Sequence, residues 1–326
     1  MATNKRKVLL PHTMGKQGID LMQSRDDVET IVYPAGISQA DFRPLIADCS
    51  GVALSGTAFK QAEMDAAPAM QVVARIGVGY DAVEVPALTA RGVPLMVAGS
   101  ANSVSVAEQA FHFIIALAKL NHQMDRLVKD DKWTARHATP PMEISGKTVV
   151  IVGFGRIGTR SARRCLAFDM NVCIYDPFVD QAAIVAAGCT PVADLDAALP
   201  GADFVSIHCP KSPATIDLFN AARLARMKKG AYLINTARGG IVNEADLYAA
   251  LTSGHIAGAG LDVFDLEPTP TNNPLLQLPN VIASPHMAGV TVESIQSMAV
   301  ATARNILSVL DGKPNAENAI NPEVFG

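Results

Sequence analysis

The chain has 326 residues, 49% of them apolar and 18% charged, with a formal net charge of −4. That length is more than one hydrophobic core ordinarily organises, so two domains are expected. The mild acidity, with no basic run beyond Lys5-Arg6-Lys7, speaks against a polyanion partner, and no nucleic-acid role is expected.

In chain order, short β-branched runs alternate with helix-like stretches. Strands are predicted at Lys7–Leu10, Val28–Tyr33, Gly51–Leu54, Val72–Ile76 and Pro94–Val97. A long helix is predicted next, from about Ser103 to about Lys129, with Asn102 as its N-cap. Further strands follow at Thr148–Val152, Asn171–Tyr175, Phe204–His208, Ala231–Asn235, Ile256–Leu261 and Val281–Ile282. A second long helix runs from about Thr291 to Leu310 and stops at Asp311-Gly312-Lys313-Pro314. Several strand runs are apolar throughout, as in strands covered on both faces, and the alternation with helices implies parallel sheets. The fold class expected is α/β, with two Rossmann-like domains. Residues 102–286 would form a cofactor domain inserted into a discontinuous substrate domain of 1–101 and 287–326.

No apolar leader with a cleavage site opens the chain, and no run reaches the roughly 18 apolar residues of a membrane span. Phe111 to Leu120 is too short, so no membrane partner is expected. Cys49, Cys165, Cys173, Cys189 and Cys209 lack CxxC spacing, which suits reduced thiols in a cytoplasmic protein and gives no metal site. Glu108 and His112 stand four apart without further ligands and read as a helical pair.

Thr148–Val152 leads into Gly153-Phe154-Gly155-Arg156-Ile157-Gly158 and then a helical segment. A GxGxxG that follows a strand and opens a helix has a physical reading. Gly153 permits the turn, Gly155 lets a pyrophosphate approach the backbone, and Gly158 lets helix and strand pack closely. Asp176, at the end of the next strand, stands where an acid binds ribose hydroxyls and repels a ribose phosphate. NAD(H) is therefore expected over NADP(H).

Four later segments carry more information: Asn235-Thr236-Ala237-Arg238-Gly239-Gly240, Gly260–Phe264, Glu267-Pro268 and Ser284–Gly289. Together with Arg75–Asp81 they resemble the D-isomer-specific 2-hydroxyacid dehydrogenase family, which includes phosphoglycerate dehydrogenase, glyoxylate and hydroxypyruvate reductases and D-lactate dehydrogenase. The resemblance covers nearly the whole chain in family order. It implies an NAD-dependent enzyme interconverting a small 2-oxo acid and a D-2-hydroxy acid, with Arg238, Glu267 and His286 as the catalytic set. Hydride addition builds negative charge on a ketone oxygen, and His286 can donate a proton there. Glu267 would orient the imidazole and favour its charged form. The donor fork of Arg238 suits a carboxylate and a carbonyl.

The resemblance also implies that backbone N–H groups around Val78 and Gly79 cradle the substrate carboxylate, with Ser55 and Gly56 facing the rest of the substrate. His208, Pro210 and Thr215 would line the adenine side of the cofactor. Thr236, Ala237, Asp262 and Gly289 would stand near the nicotinamide. Trp133 resembles residues that pack at the family's subunit interface, so a homodimer is expected.

Departures narrow the substrate. Many phosphoglycerate dehydrogenases place an arginine and a lysine where this chain has Leu54 and Ala58, so an unphosphorylated acid of the glyoxylate or hydroxypyruvate type is expected. Lys60 or Arg43 could substitute from nearby. Gln109 replaces a histidine frequent in the family, and Val97–Ala101 departs from the usual lead-in. The chain ends soon after the second long helix, so feedback through a C-terminal regulatory domain is not expected. Three alternatives stay open: phosphoglycerate dehydrogenase without a regulatory domain, a non-enzymatic NAD-sensing binding protein, and phosphite oxidation. Formate is disfavoured, because formate dehydrogenases carry Gln at the Glu267 position.

Overall fold

Most of the apolar runs become strands, and the computed structural model, which describes residues 5–326, arranges them in two parallel sheets. In the first, β1 (Arg6–Pro11), β2 (Val28–Tyr33), β3 (Gly51–Leu54), β4 (Val72–Arg75) and β5 (Leu95–Met96) lie in the order β2-β1-β3-β4-β5. The second contains β6 (Thr148–Val152), β7 (Asn171–Tyr175), β8 (Thr190–Pro191), β9 (Phe204–Ile207), β10 (Ala231–Asn235), β11 (Ile256–Leu261) and β12 (Val281–Ala283). Its order is β12-β11-β10-β9-β6-β7-β8. The chain works outward from β6 in one direction, then returns to β9 on β6's other side. That reversal makes the end of β6 a topological switch point, where open α/β sheets bind ligands.

Two compact units result. One comprises the segment up to Asn102 with Val290–Gly326, and the other is Ser103–Gly289. Within each, both faces of the central strands are buried, which is why those strands lack polar alternation. In the second unit Val150, Val152, Val205 and Leu233 enter one apolar cluster, while Val149, Ile151, Phe204 and Ile234 enter the other. In the first unit Leu9, Val52 and Leu54 face one cluster. Val8, Leu10 and Val72 face the other, which Ala299, Ala303 and Ile306 of the helix Val292–Leu310 complete. That helix starts with a reciprocal cap: Thr291 Oγ1 accepts from Ser294 N at 3.1 Å, and Ser294 Oγ accepts from Thr291 N at 2.7 Å.

The long helix expected from Ser103 is two helices, Ser103–Ala118 and Asn121–Lys129, bent by 57° at the break. Leu120 sits there with φ of 50°, a left-handed setting that a helix cannot continue. The first helix is largely buried. Its Phe113 lies so close to β11 that a Cβ added at Gly260 would come within 2.6 Å of the ring. The second helix has no buried residue, so packing does not hold it on the first helix's axis. Asn102 does not act as the expected cap: its Oδ1 is buried without a hydrogen-bond partner. No single helix among the described residues is long and apolar enough to cross a membrane.

Candidate active site

At the end of β6 the chain turns through Gly153, whose φ of 100° is open to glycine and strained for other residues. A Cβ at Gly153 would lie 2.7 Å from Cys209 N, and one at Gly158 would lie 2.0 Å from Gly153 O. A Cβ at Gly155 would meet nothing within 4 Å. The outer glycines therefore allow close packing. The middle one leaves space beside the N-terminus of the helix Gly158–Ala167, whose unpaired N–H groups and dipole suit a pyrophosphate. Arg156 is exposed and Ile157 half-buried in the approach to that helix. Asp176 lies just past β7, where its carboxylate accepts from Phe154 N at 2.7 Å and from Phe178 N at 2.9 Å. The acid is thus fixed against the glycine turn.

On the far side of the turn, Thr215 Oγ1 donates to Pro210 O and accepts from Ser212 N, each at 2.7 Å, which closes the 210–215 loop. His208 is half-buried; its Nε2 meets Ser206 Oγ at 2.9 Å, whereas its Nδ1 is buried without a partner. Burial lowers the His208 pKa to about 4. Thr236 Oγ1 is likewise buried and unpartnered. Such orphaned atoms are uncommon in a finished interior. With the space at Gly155, they fit a site completed by a bound dinucleotide.

Arg238, Glu267 and His286 follow the C-terminal ends of β10, β11 and β12, on three neighbouring turns. The first two turns touch backbone to backbone: a Cβ at Gly239 would fall 1.8 Å from Phe264 O. Asn235, 2% exposed, holds the Arg238 turn by donating from Nδ2 to Arg238 O and accepting at Oδ1 from Ala237 N, both at 3.0 Å. Arg238 Nη1 donates to Ala237 O at 2.6 Å. The Glu267 carboxylate is shared between two partners. Oε1 accepts from Phe264 N at 3.0 Å, and Oε2 lies 2.7 Å from His286 Nδ1. With Nδ1 committed to Glu267, Nε2 is the ring atom left to exchange a proton. The His286 side chain is 48% exposed, open to a substrate. A pocket of about 660 Å³ lies beside the pair, with Phe264, Pro268, Leu276 and Pro285 among its walls.

Asp262 and Gly289 stand close in sequence to these turns. Asp262 is buried, and its carboxylate is occupied by hydrogen bonds from the segment that carries His286. In the first unit, Ser55 and Gly56 follow β3, and Val78 and Gly79 lie in the turn after β4. That turn is closed by Arg75 Nε donating to Gly79 O at 2.7 Å, with Gly77 at φ of 112°. The structure corrects the reading of Leu54: its side chain is fully buried among Leu9, Tyr33 and Phe42, so it does not face a ligand. Arg43 is held by Glu63 at 2.8 Å, a carboxylate only 3% exposed. Glu108 pairs with Arg164 at 2.9 Å instead of with His112.

Asn235, Gly239 and Ser284 lie in the motif segments read from sequence, but no role of their own was expected for them. Asn235 had a readable signal: an Asn at the end of an apolar strand commonly closes a turn by accepting from the backbone N–H two residues on. Gly239 and Ser284 act through residues more than 20 positions away, which local pattern does not reach.

A family model described as "D-isomer specific 2-hydroxyacid dehydrogenase, NAD binding domain" matches residues 111–288. A D-3-phosphoglycerate dehydrogenase of Archaeoglobus fulgidus is 35% identical over 316 residues, covering 97% of this chain and 59% of that protein. A glyoxylate reductase of Thermofilum pendens is 40% identical over 267 residues, covering 80% of this chain and 78% of that protein. The chain thus spans less than two thirds of the length of the phosphoglycerate dehydrogenases it matches. A crystal structure of a protein from Thermus thermophilus superposes with a TM-score of 0.86 at 31% identity, covering 96% of this chain and 99% of that one.

Proposed function

The chain belongs to the D-isomer-specific 2-hydroxyacid dehydrogenase family, and from that premise we propose that it interconverts a small, unphosphorylated 2-oxo acid and its D-2-hydroxy acid with NAD(H). The observation that carries this reading is the 2.7 Å contact of His286 Nδ1 with Glu267 Oε2, whose turn packs against that of Arg238. Bound NAD(H) supplies the hydride. Gly153, Gly155 and Gly158 would admit its pyrophosphate, and Asp176 would bind the ribose hydroxyls and disfavour a ribose phosphate. His208, Pro210 and Thr215 would line its adenine side, with Thr236, Ala237 and Gly289 toward the nicotinamide.

In the reducing direction, His286 Nε2 delivers a proton to the substrate's 2-oxygen as negative charge develops there. Glu267 holds the ring and offsets its positive charge. Arg238 binds the carboxylate and polarises the carbonyl. Val78 and Gly79 would add backbone N–H groups for the carboxylate, with Ser55 and Gly56 beyond it.

The substrate's tail is read from the first unit. Leu54 points into the core, Ala58 carries no charge, and Arg43 is neutralised by Glu63, which leaves Lys60 as a lone exposed cation on that loop. One flexible lysine is a weak phosphate site, so a glyoxylate- or hydroxypyruvate-type acid is favoured. The likeness to phosphoglycerate dehydrogenases supports the phosphorylated alternative.

NADH and NADPH oxidation against glyoxylate, hydroxypyruvate, pyruvate and phosphohydroxypyruvate separates the readings. Turnover with NADH on an unphosphorylated acid is expected, lost in His286→Ala. Preference for phosphohydroxypyruvate would replace the substrate assignment, and an active His286→Ala would remove the mechanism. A homodimer in a reducing cytoplasm is part of this reading. Trp133 at 60% exposure and Val128 at 60% leave apolar surface on an arm with no buried residue, and all five cysteines are free. Light scattering should give twice the 34.3 kDa chain mass; a monomer at micromolar concentration would remove the dimer.

A further inference from the structure

His286 has a backbone φ of 53°, a left-handed setting uncommon for a side-chain-bearing residue and held here by its surroundings. Those surroundings converge on one residue. Asp262, at the end of β11 and 1% exposed, accepts His286 N at its own carbonyl at 2.8 Å. Its Oδ1 accepts from Met287 N at 2.8 Å and from the Ser284 hydroxyl, and its Oδ2 accepts from Ala288 N at 2.9 Å. Donors from both sides of His286 thus end on one carboxylate. Burial raises the Asp262 pKa, and the hydrogen bonds from Ser284, Ala288 and Met287 oppose that rise. The Asp262 N–H itself donates to Asn235 O at 3.0 Å, so the clamp is anchored in the strand next to β11.

We infer that Asp262 is a positioning residue for proton transfer. Its buried carboxylate fixes the 284–288 turn in the conformation that keeps His286 Nδ1 on Glu267, and therefore Nε2 toward the substrate. This goes beyond a contact with the nicotinamide end of the cofactor, and it rests on the reading of His286 as the proton donor. A neutral amide cannot replace the carboxylate. With Ser284 and Met287 kept on its oxygen, its NH2 faces the N–H of Ala288, a donor against a donor.

The test is Asp262→Asn in the full chain, with three readouts. NADH affinity is measured by fluorescence titration, kcat on the 2-oxo acid that wild type reduces, and the ring-nitrogen pattern of His286 by NMR of 15N-histidine protein. The His286 signal is assigned with His286→Gln. The expected result is a fall in kcat on the order of 10- to 100-fold. NADH affinity should stay within about threefold, and the proton on His286 should become shared between its two nitrogens. Ser284→Ala removes one donor and should act in the same direction by a smaller factor, which keeps the test alive if the Asn variant does not fold.

An unchanged ring pattern, with the loss confined to NADH affinity, would make Asp262 a cofactor ligand only and overturn the inference. Lowered thermal stability with unchanged kcat in the folded enzyme would overturn it too. If wild type reduces no 2-oxo acid, the functional reading fails by itself, while the ring pattern and NADH titration still judge the clamp.

Discussion

His208 carries a charge state that depends on the fold. Burial holds its pKa near 4, below the 6.5 of a free imidazole, so the native chain binds fewer protons than the unfolded chain between those values. The stability contributed by keeping this ring neutral is complete above pH 6.5 and is lost as pH falls to about 4. The loss is on the order of 3 kcal/mol. Urea unfolding at the two ends of that window should show it, and His208→Gln should flatten that part of the profile. An equally steep fall in the variant would place the acid sensitivity elsewhere. At this scale the sequence was readable wherever chemistry and local backbone coincide. Gly153 and Gly158 are explained by contacts that a Cβ would make, and Gly155 by the open space left beside it. His286 and Glu267, 19 positions apart, were named from their motifs, but the bond between them depends on the order of β11 and β12. The hold of Asp262 on Ser284, Met287 and Ala288 depends on the same pairing and left no local trace.

Between residue and molecule stand the turns after β10 and β11. Their backbones approach so closely at Gly239 and Phe264 that a methyl group at Gly239 has nowhere to go. Gly239→Ala should therefore destabilise the protein by about 1–3 kcal/mol through overpacking and lower kcat, because the turns of Arg238 and Glu267 must part. Denaturant unfolding and NADH oxidation measure both effects, and a variant unchanged in either would show that the turns yield without consequence. β3, β6, β10 and β11 were legible because covered parallel strands are largely apolar, and β2 and β7 because β-branched and aromatic residues fill them, so all six could be bounded from sequence to the residue. The break at Leu120 was not, since no glycine or proline marks it; the change from a buried helix to one with no buried residue does. β8 was missed because two residues, one of them proline, make no pattern.

For the molecule as a whole, the α/β class and the two parallel sheets followed from the alternation of strand and helix. The sheet orders did not, because neighbours in a parallel sheet are chosen by packing across helices that sequence periodicity does not pair. The unit Ser103–Gly289 is one continuous stretch with apolar clusters on both faces of its own sheet. Expressed alone, it should unfold cooperatively and bind NADH within about tenfold of the full chain's affinity, since the glycine turn and Asp176 lie inside it. A fragment lacking a cooperative transition would show that its core needs the remaining chain.

The helix Val292–Leu310 completes the core of a sheet whose strands were all laid down by Met96. During synthesis that sheet must wait for the whole inserted unit, roughly 10–40 s at common elongation rates. Through this interval Val8, Leu10 and Val72 lack the helix that will cover them. The nascent chain is therefore open to trapping by other chains, or to capture by a chaperone, from the emergence of β5 until its last helix has emerged.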